Sequence, residues 1–160
     1  MAEKGGEERS FLVFKTYALS NIAYQLSTLK NDVKGALVIY EDIYKIQSRL
    51  NDLTGLSATT NNLANIYKKQ GNSNKAIEWH LKSLALKEKN NDKLGVGISY
   101  NNLGSIYKDQ GDIASAVNCY SKALTLFEGA KDNRQMASAM NNLGRIYQNQ
   151  GDHKRALEYY

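Results

Sequence analysis

The sequence predicts an all-α protein, a solenoid of stacked antiparallel helix hairpins. Three observations carry that reading. A seven-residue stretch recurs twice at a spacing of forty, a glycine stands four residues after each copy, and the 160 residues contain no proline to interrupt a helix.

The repeated stretch is Asn61-Asn62-Leu63-Ala64-Asn65-Ile66-Tyr67, then Asn101-Asn102-Leu103-Gly104-Ser105-Ile106-Tyr107, then Asn141-Asn142-Leu143-Gly144-Arg145-Ile146-Tyr147. The glycines that follow are Gly71, Gly111 and Gly151. A weaker copy lies upstream. Alanine stands at 36, 76, 116 and 156, and four residues later come Tyr40, His80, Tyr120 and Tyr160. Asn21 keeps the first asparagine, but Leu63 becomes Ala23 and Tyr67 becomes Ser27. The first unit therefore keeps its second helix while its first helix has drifted, as terminal repeats with one unpartnered face often do.

Each unit reads as two helices. In the third, Ile98, Leu103, Ile106, Tyr107 and Gln110 belong to the first helix, which Gly111 ends by accepting a left-handed conformation. Ile113, Ala116, Val117, Tyr120, Leu124 and Phe127 then form one apolar stripe at helical spacing. Asp112 and Asn72 are positioned to cap second helices, and Asn51-Asp52, Asn90-Asn91-Asp92 and Lys131-Asp132-Asn133 mark the breaks between units. The units fall at about 17–56, 57–96, 97–136 and 137–160, after a polar N-terminal segment, 1–16, that holds the start of the first helix. Gly104 and Gly144, like Ala64, occupy the place where paired helices approach closely, with Ala116 or Ala76 as the expected opposing surface. A large side chain at Gly104 should prise such a pair apart.

The pattern Leu103-Gly104-x-x-Tyr107 followed by Ala116-x-x-x-Tyr120 resembles the tetratricopeptide repeat over about residues 17–160. It departs from that family in carrying Thr60, Tyr100 and Met140 at the early Trp, in lacking the closing Pro, and in its longer period. In these respects it is similar to the subgroup found in kinesin light chains, spindle-orientation adaptors and helical sensor regions of bacterial signalling proteins. The resemblance implies a right-handed superhelix and a protein–protein interaction scaffold that binds a partner peptide in a concave groove. The alternative it implies is a regulatory or sensor segment of a larger signalling protein, and a purely structural spacer is a third reading.

At ~100° per residue, Leu103, Ile106, Tyr107 and Gln110 gather on one side of the first helix. Asn101, Ser105, Lys108 and Asp109 gather on the other, with Asn102 at the border. The free faces then form a ladder of Asn21 and Gln25; Asn61, Asn65, Lys68 and Lys69; Asn101, Ser105, Lys108 and Asp109; Asn141, Arg145, Gln148 and Asn149. A carboxamide both donates and accepts, so such a ladder can grip an extended peptide by its backbone. Lys68, Lys108 and Arg145 would favour acidic side chains or a free carboxylate. The family resemblance points the same way for Asn61, Asn101 and Asn141, with Asn62, Asn102 and Asn142 in support. The other reading is that Asn-Asn pairs cap or bridge neighbouring helices, and that the lysines are a solvated face.

Composition narrows the rest. The net charge of +5 is mild and spread along the chain, so nucleic acid is not an expected partner. No stretch approaches the ~18 apolar residues of a membrane span, and membrane is not expected either. Cys119 is the only cysteine, which fits a reducing, cytoplasmic setting. His80 replaces a tyrosine in a core stripe and reads as packed, His153 as a turn residue, Cys119 and Trp79 as packing. No nucleophile–base–acid set, phosphate loop or metal-ligand spacing can be assembled, so neither an enzyme, a cofactor nor a metal is expected. The last unit stops at Tyr159-Tyr160, inside its second helix. Either the chain is a fragment of a longer repeat protein, or exposed ends associate head to tail.

Overall fold

The computed structural model describes residues 2–160, with side chains from residue 6 onward. The described residues form eight helices and no strand: α1 (Ala2–Thr28), α2 (Val33–Leu50), α3 (Leu53–Lys69), α4 (Ser73–Lys89), α5 (Lys93–Asp109), α6 (Ile113–Ala130), α7 (Asn133–Asn149) and α8 (His153–Tyr159). The class is the expected all-α one, built of hairpins. The chain divides into two compact units, Met1–Leu86 and Lys87–Tyr160. In the first, α1 packs on α2 and α2 on α3; in the second, α5 packs on α6, α6 on α7 and α7 on α8.

Short polar residues decide where helices start. Asp32, Asp52, Asp92, Asp112, Asp132 and Asp152 each accept, through Oδ1, the backbone N–H three residues on, at 2.8–3.1 Å. Asn72 does the same for Lys75 at 3.1 Å. Each bond satisfies a donor that the first turn cannot satisfy itself. The first helices therefore begin at Leu53, Lys93 and Asn133, at the breaks Asn51-Asp52, Asn90-Asn91-Asp92 and Lys131-Asp132-Asn133 and a few residues ahead of the approximate unit bounds at 57, 97 and 137. The capping aspartate sets the start. At the N-terminus α1 already runs from Ala2, so the polar segment and the first helix are one element.

Left-handed residues decide where helices end. Within hairpins this is Asn31, at φ of 53°, and Gly71, Gly111 and Gly151, at 74°, 82° and 77°. Between hairpins it is Asn51, Asn91 and Lys131, at 54–55°. Asparagine tolerates this region, whereas lysine pays for its Cβ.

Drift in the first unit has not shifted its register. Ala23 is buried with Ala36, Tyr40, Ile43, Leu63 and Ile66 in one cluster, and Ser27 is buried as well. In the second unit Ala116, Tyr120, Leu143 and Ile146 form one cluster, and Ala123, Phe127 and Ala139 another. Gln110 is exposed, contrary to its place in the core stripe. It is the C-cap of α5, its N–H still returning to Ile106 O, and it stands at the helix end beside the turn at Gly111.

The surface opposite the helix glycines also differs from expectation. A Cβ on Gly104 would lie 2.9 Å from the ring of Tyr120, and one on Gly144 would lie 2.9 Å from the ring of Tyr160. The opposing surface is thus an aromatic ring one turn beyond Ala116. His80 is fully buried, Cys119 is buried, and Trp79 packs edge-on to Tyr44 with ring centroids 5.3 Å apart, all in packing roles as read from the sequence.

One buried polar contact stands out. Lys87 Nζ donates to Ser99 Oγ at 2.9 Å, and Lys87 is only 8% exposed. Burial holds its ammonium pKa below the usual lysine value, against the pull of Asp92. The positions forty residues on are Phe127 and Ala139, which share an apolar cluster.

Two outcomes are expected. Lys131→Gly should raise stability by about 1 kcal/mol, read from urea denaturation. Lys87→Met combined with Ser99→Ala should stabilise the protein near neutral pH by roughly 1 kcal/mol. A lysine with a depressed folded pKa binds fewer protons when folded, so its stability cost is full below that pKa and fades as pH rises toward 10.5. The gain over the parent chain should shrink across that window, and a pH-independent gain would contradict this account.

Candidate functional site

The residues expected to bind a peptide lie on the first helices of the hairpins. In the first unit, α3 carries Asn61, Asn65 and Lys68 on the side away from Leu63 and Ile66, which are buried, and Asn62 at the border, one turn before Ile66. Asn61, Asn62 and Lys68 are half-buried and Asn65 is exposed. Three of the four, Asn62, Asn65 and Lys68, line a cavity of about 470 Å³. Its other walls are Ile66 and Lys69 from α3, Tyr24, Ser27 and Thr28 from α1, and Tyr40 from α2.

Local physics explains each wall. Tyr40 and Ile66 belong to the core cluster and form apolar walls. Burial raises the Tyr40 phenol above its usual range, and the neighbouring Tyr24 adds to this, so Tyr40 is neutral across the ordinary pH range. Tyr24 stands at the position of Gly104, yet is 62% exposed. Lys69 Nζ donates to the carbonyl of Ser27 at 3.1 Å. That carbonyl is among the last four of α1, which lack partners inside the helix, so the cation satisfies an acceptor at the negative helix end. Lys69 therefore ties α3 to α1 and gives the cavity a fixed positive rim.

In the second unit, α5 carries Asn101, Asn102, Ser105 and Lys108, all half-buried. On α7, Asn141 and Arg145 are exposed and Asn142 is half-buried. Asn142 Nδ2 donates to Asn101 Oδ1 at 3.3 Å. The second asparagine of one hairpin thus bridges to the first asparagine of the hairpin before it, which is the bridging reading, and it engages a residue also read as a ligand contact. Lys108 Nζ lies 3.9 Å from Asp109 Oδ1, a loose surface ion pair.

Ser105 and Arg145 lie close enough to Tyr120 to influence its phenol. Burial pushes that phenol up to about 12, opposed by the Ser105 hydroxyl and the Arg145 guanidinium, with Asp109 and Cys119 adding to the rise. It is uncharged throughout the physiological range.

The arrangement offers apolar rings, carboxamides that donate and accept, and ammonium groups. Among the described residues no group of three His, Cys, Asp or Glu converges as metal ligands would. No described helix is long and apolar enough to cross a membrane. Sequence reasoning missed Tyr24, Thr28 and Tyr40 as parts of the cavity. The signal was the break in the repeat at Ser27, recorded above only as drift.

Two family models, each described as tetratricopeptide repeat, match residues 59–94 and 95–160. A search of the curated proteins finds no match. Among solved structures, BtubC (BKLC) from P. vanneervenii is similar at TM-score 0.80 and 22% identity, covering 90% of this chain and 59% of its own. A kinesin-light-chain-like protein from Podosopora anserina with nearly identical tetratricopeptide-like repeats is similar at TM-score 0.74 and 18% identity, covering 91% and 71%. A signal-transduction ATPase with numerous domains from Pyrococcus horikoshii, which has a tetratricopeptide-repeat sensor, is similar at TM-score 0.84 and 20% identity, covering 92% and 23%. At these identities the likeness concerns the fold. The chain spans 59% of the length of BtubC and less than a quarter of the ATPase.

The Asn101–Asn142 bond should appear as a coupling of about 0.5 kcal/mol in a double-mutant cycle of alanine replacements, read by denaturant unfolding. Strict additivity of the two single changes would remove the bridging role.

Proposed function

Because the chain belongs to the tetratricopeptide-repeat family, we propose that it is a protein-interaction module that holds an extended segment of a partner against its first helices. The observation that carries this is the convergence of Asn62, Asn65 and Lys68 on one cavity whose walls include Tyr40 and Ile66. Amides at the rim can bond a peptide backbone regardless of its side chains, while apolar walls can bury part of it. Lys68 and Lys69 favour a segment carrying carboxylates. Asn61 on α3 adds to this set, and within the second unit Asn101, Asn102, Ser105, Lys108, Asn141, Asn142 and Arg145 offer the same groups on α5 and α7. There Asn101 and Asn142 would have to exchange their mutual bond for bonds to the partner.

A second reading follows from the likeness to the sensor-bearing ATPase. In it the repeats act as a regulatory segment that relays partner binding to an output domain. A gene product that joins these repeats to an ATPase or kinase domain would favour it, and a gene product with repeats alone would count against it.

The test of the leading reading is a displayed library of random extended peptides, selected on the 160-residue chain and on a variant with Asn62, Asn65 and Lys68 all replaced by alanine. Each lost hydrogen bond should cost about 0.5–1.5 kcal/mol, so selected peptides should bind the folded variant at least tenfold more weakly. The wild-type pool should be enriched in Asp and Glu. Equal affinity for the two proteins would defeat the proposal.

A further inference from the structure

The cavity of the first unit has a cause in the repeat itself. Position 27 belongs to the series 67, 107 and 147, which carry tyrosine where position 27 carries serine. In the second unit, Tyr107 packs against the cluster that includes Tyr120 and Ile146. The positions equivalent to Tyr120 and Ile146 in the first unit are Tyr40 and Ile66, and both line the cavity together with Ser27. The kind of surface on which a tyrosine packs in one unit is therefore present in the other, where the chain's own side chain has been cut back to a hydroxymethyl group.

We infer that this cavity is an aromatic-anchor site, which takes the side chain of an aromatic residue in the partner's extended segment in place of the tyrosine the first unit lacks. This rests on the peptide-binding reading above and adds to it a side-chain preference. Three further observations support an aromatic occupant. The cavity of about 470 Å³ lies within the ~300–1,000 Å³ of sites that bury most of a small ligand. Two of its walls, Tyr24 and Tyr40, are rings that offer faces and edges to a third ring. The hydroxyls of Ser27 and Thr28 both donate to the carbonyl of Tyr24, at 3.0 and 2.6 Å. Their protons are thereby turned to the backbone, which leaves carbon and acceptor oxygen for a ring to meet. Asn62 and Asn65 stand on the same rim, placed to bond the backbone on either side of the anchor.

The probe is the capped peptide acetyl-Gly-Ser-Tyr-Ser-Gly-amide, compared with its counterpart carrying alanine at the centre. Both are titrated into the full chain labelled at isoleucine methyl groups, and the Ile66 methyl signal is followed by NMR. The tyrosine peptide should shift that signal saturably and bind about ten- to a hundredfold tighter than the alanine peptide, the ratio expected for burying one aromatic side chain. Ser27→Tyr should abolish the shift while leaving the thermal midpoint unchanged or higher. Equal binding of the two peptides, or no saturable binding of either, would overturn the aromatic-anchor site. So would a folded Ser27→Tyr protein that binds the tyrosine peptide as the parent does. Should that variant fail to fold, the peptide comparison decides by itself. Equal binding that is lost when Asn62, Asn65 and Lys68 are replaced would discard the aromatic preference and leave the peptide-binding reading standing.

Discussion

The last two hairpins depend on one steric requirement: the two arms must come close enough for a ring on the second helix to rest on the backbone of the first. Gly104 meets Tyr120 and Gly144 meets Tyr160 in this way, with no room between them for a Cβ. The repeat satisfies the requirement in pairs. Where the first helix keeps a Cβ, at Ala64, the second helix carries the smaller imidazole of His80 in place of the phenol. Close packing of this kind leaves side chains little freedom to adjust, so each position must be matched to its opposite. It also explains why the phenol of Tyr120 is fully buried and hard to ionise.

Contacts from one hairpin to the next obey a looser rule. The series 47, 87 and 127 reads Gln, Lys and Phe, and the series 59, 99 and 139 reads Thr, Ser and Ala. All six residues are buried. At the lysine a hydroxyl partner takes up the polar head, whereas at the phenylalanine a methyl group is enough. Burying a polar group is tolerable when its hydrogen bond is made. The repeat thus preserves a volume and a depth while the chemistry varies.

The candidate site arises where the repeat is least regular. Tyr24 takes the place of a small residue, Ser27 takes the place of a tyrosine, and both line the cavity of the first unit. Regular positions fill themselves: Tyr107 packs into its cluster, and Asn142 engages Asn101. Irregularity leaves apolar walls and amides turned toward the same space.

The sequence by itself determined the class of the fold, the number of hairpins and most of their punctuation. A period of forty, glycines at 71, 111 and 151, and aspartates at 52, 92, 112, 132 and 152 act through local backbone geometry, which depends only on neighbours along the chain. Periodicity also assigned the buried faces of the regular copies, while Ala23 and Ser27, read from the sequence only as drift, proved to be buried as well. It failed at Gln110, the C-cap at the end of α5. What meets what across helices was decided only by the tertiary structure. Gly104 faces Tyr120 and not Ala116, Asn101 turns to Asn142, and Lys69 reaches back to the carbonyl of Ser27. Such pairings depend on where two helices cross and how far a side chain extends. A periodic pattern fixes the direction in which a residue points, but it carries no information about the distance to the surface it will reach.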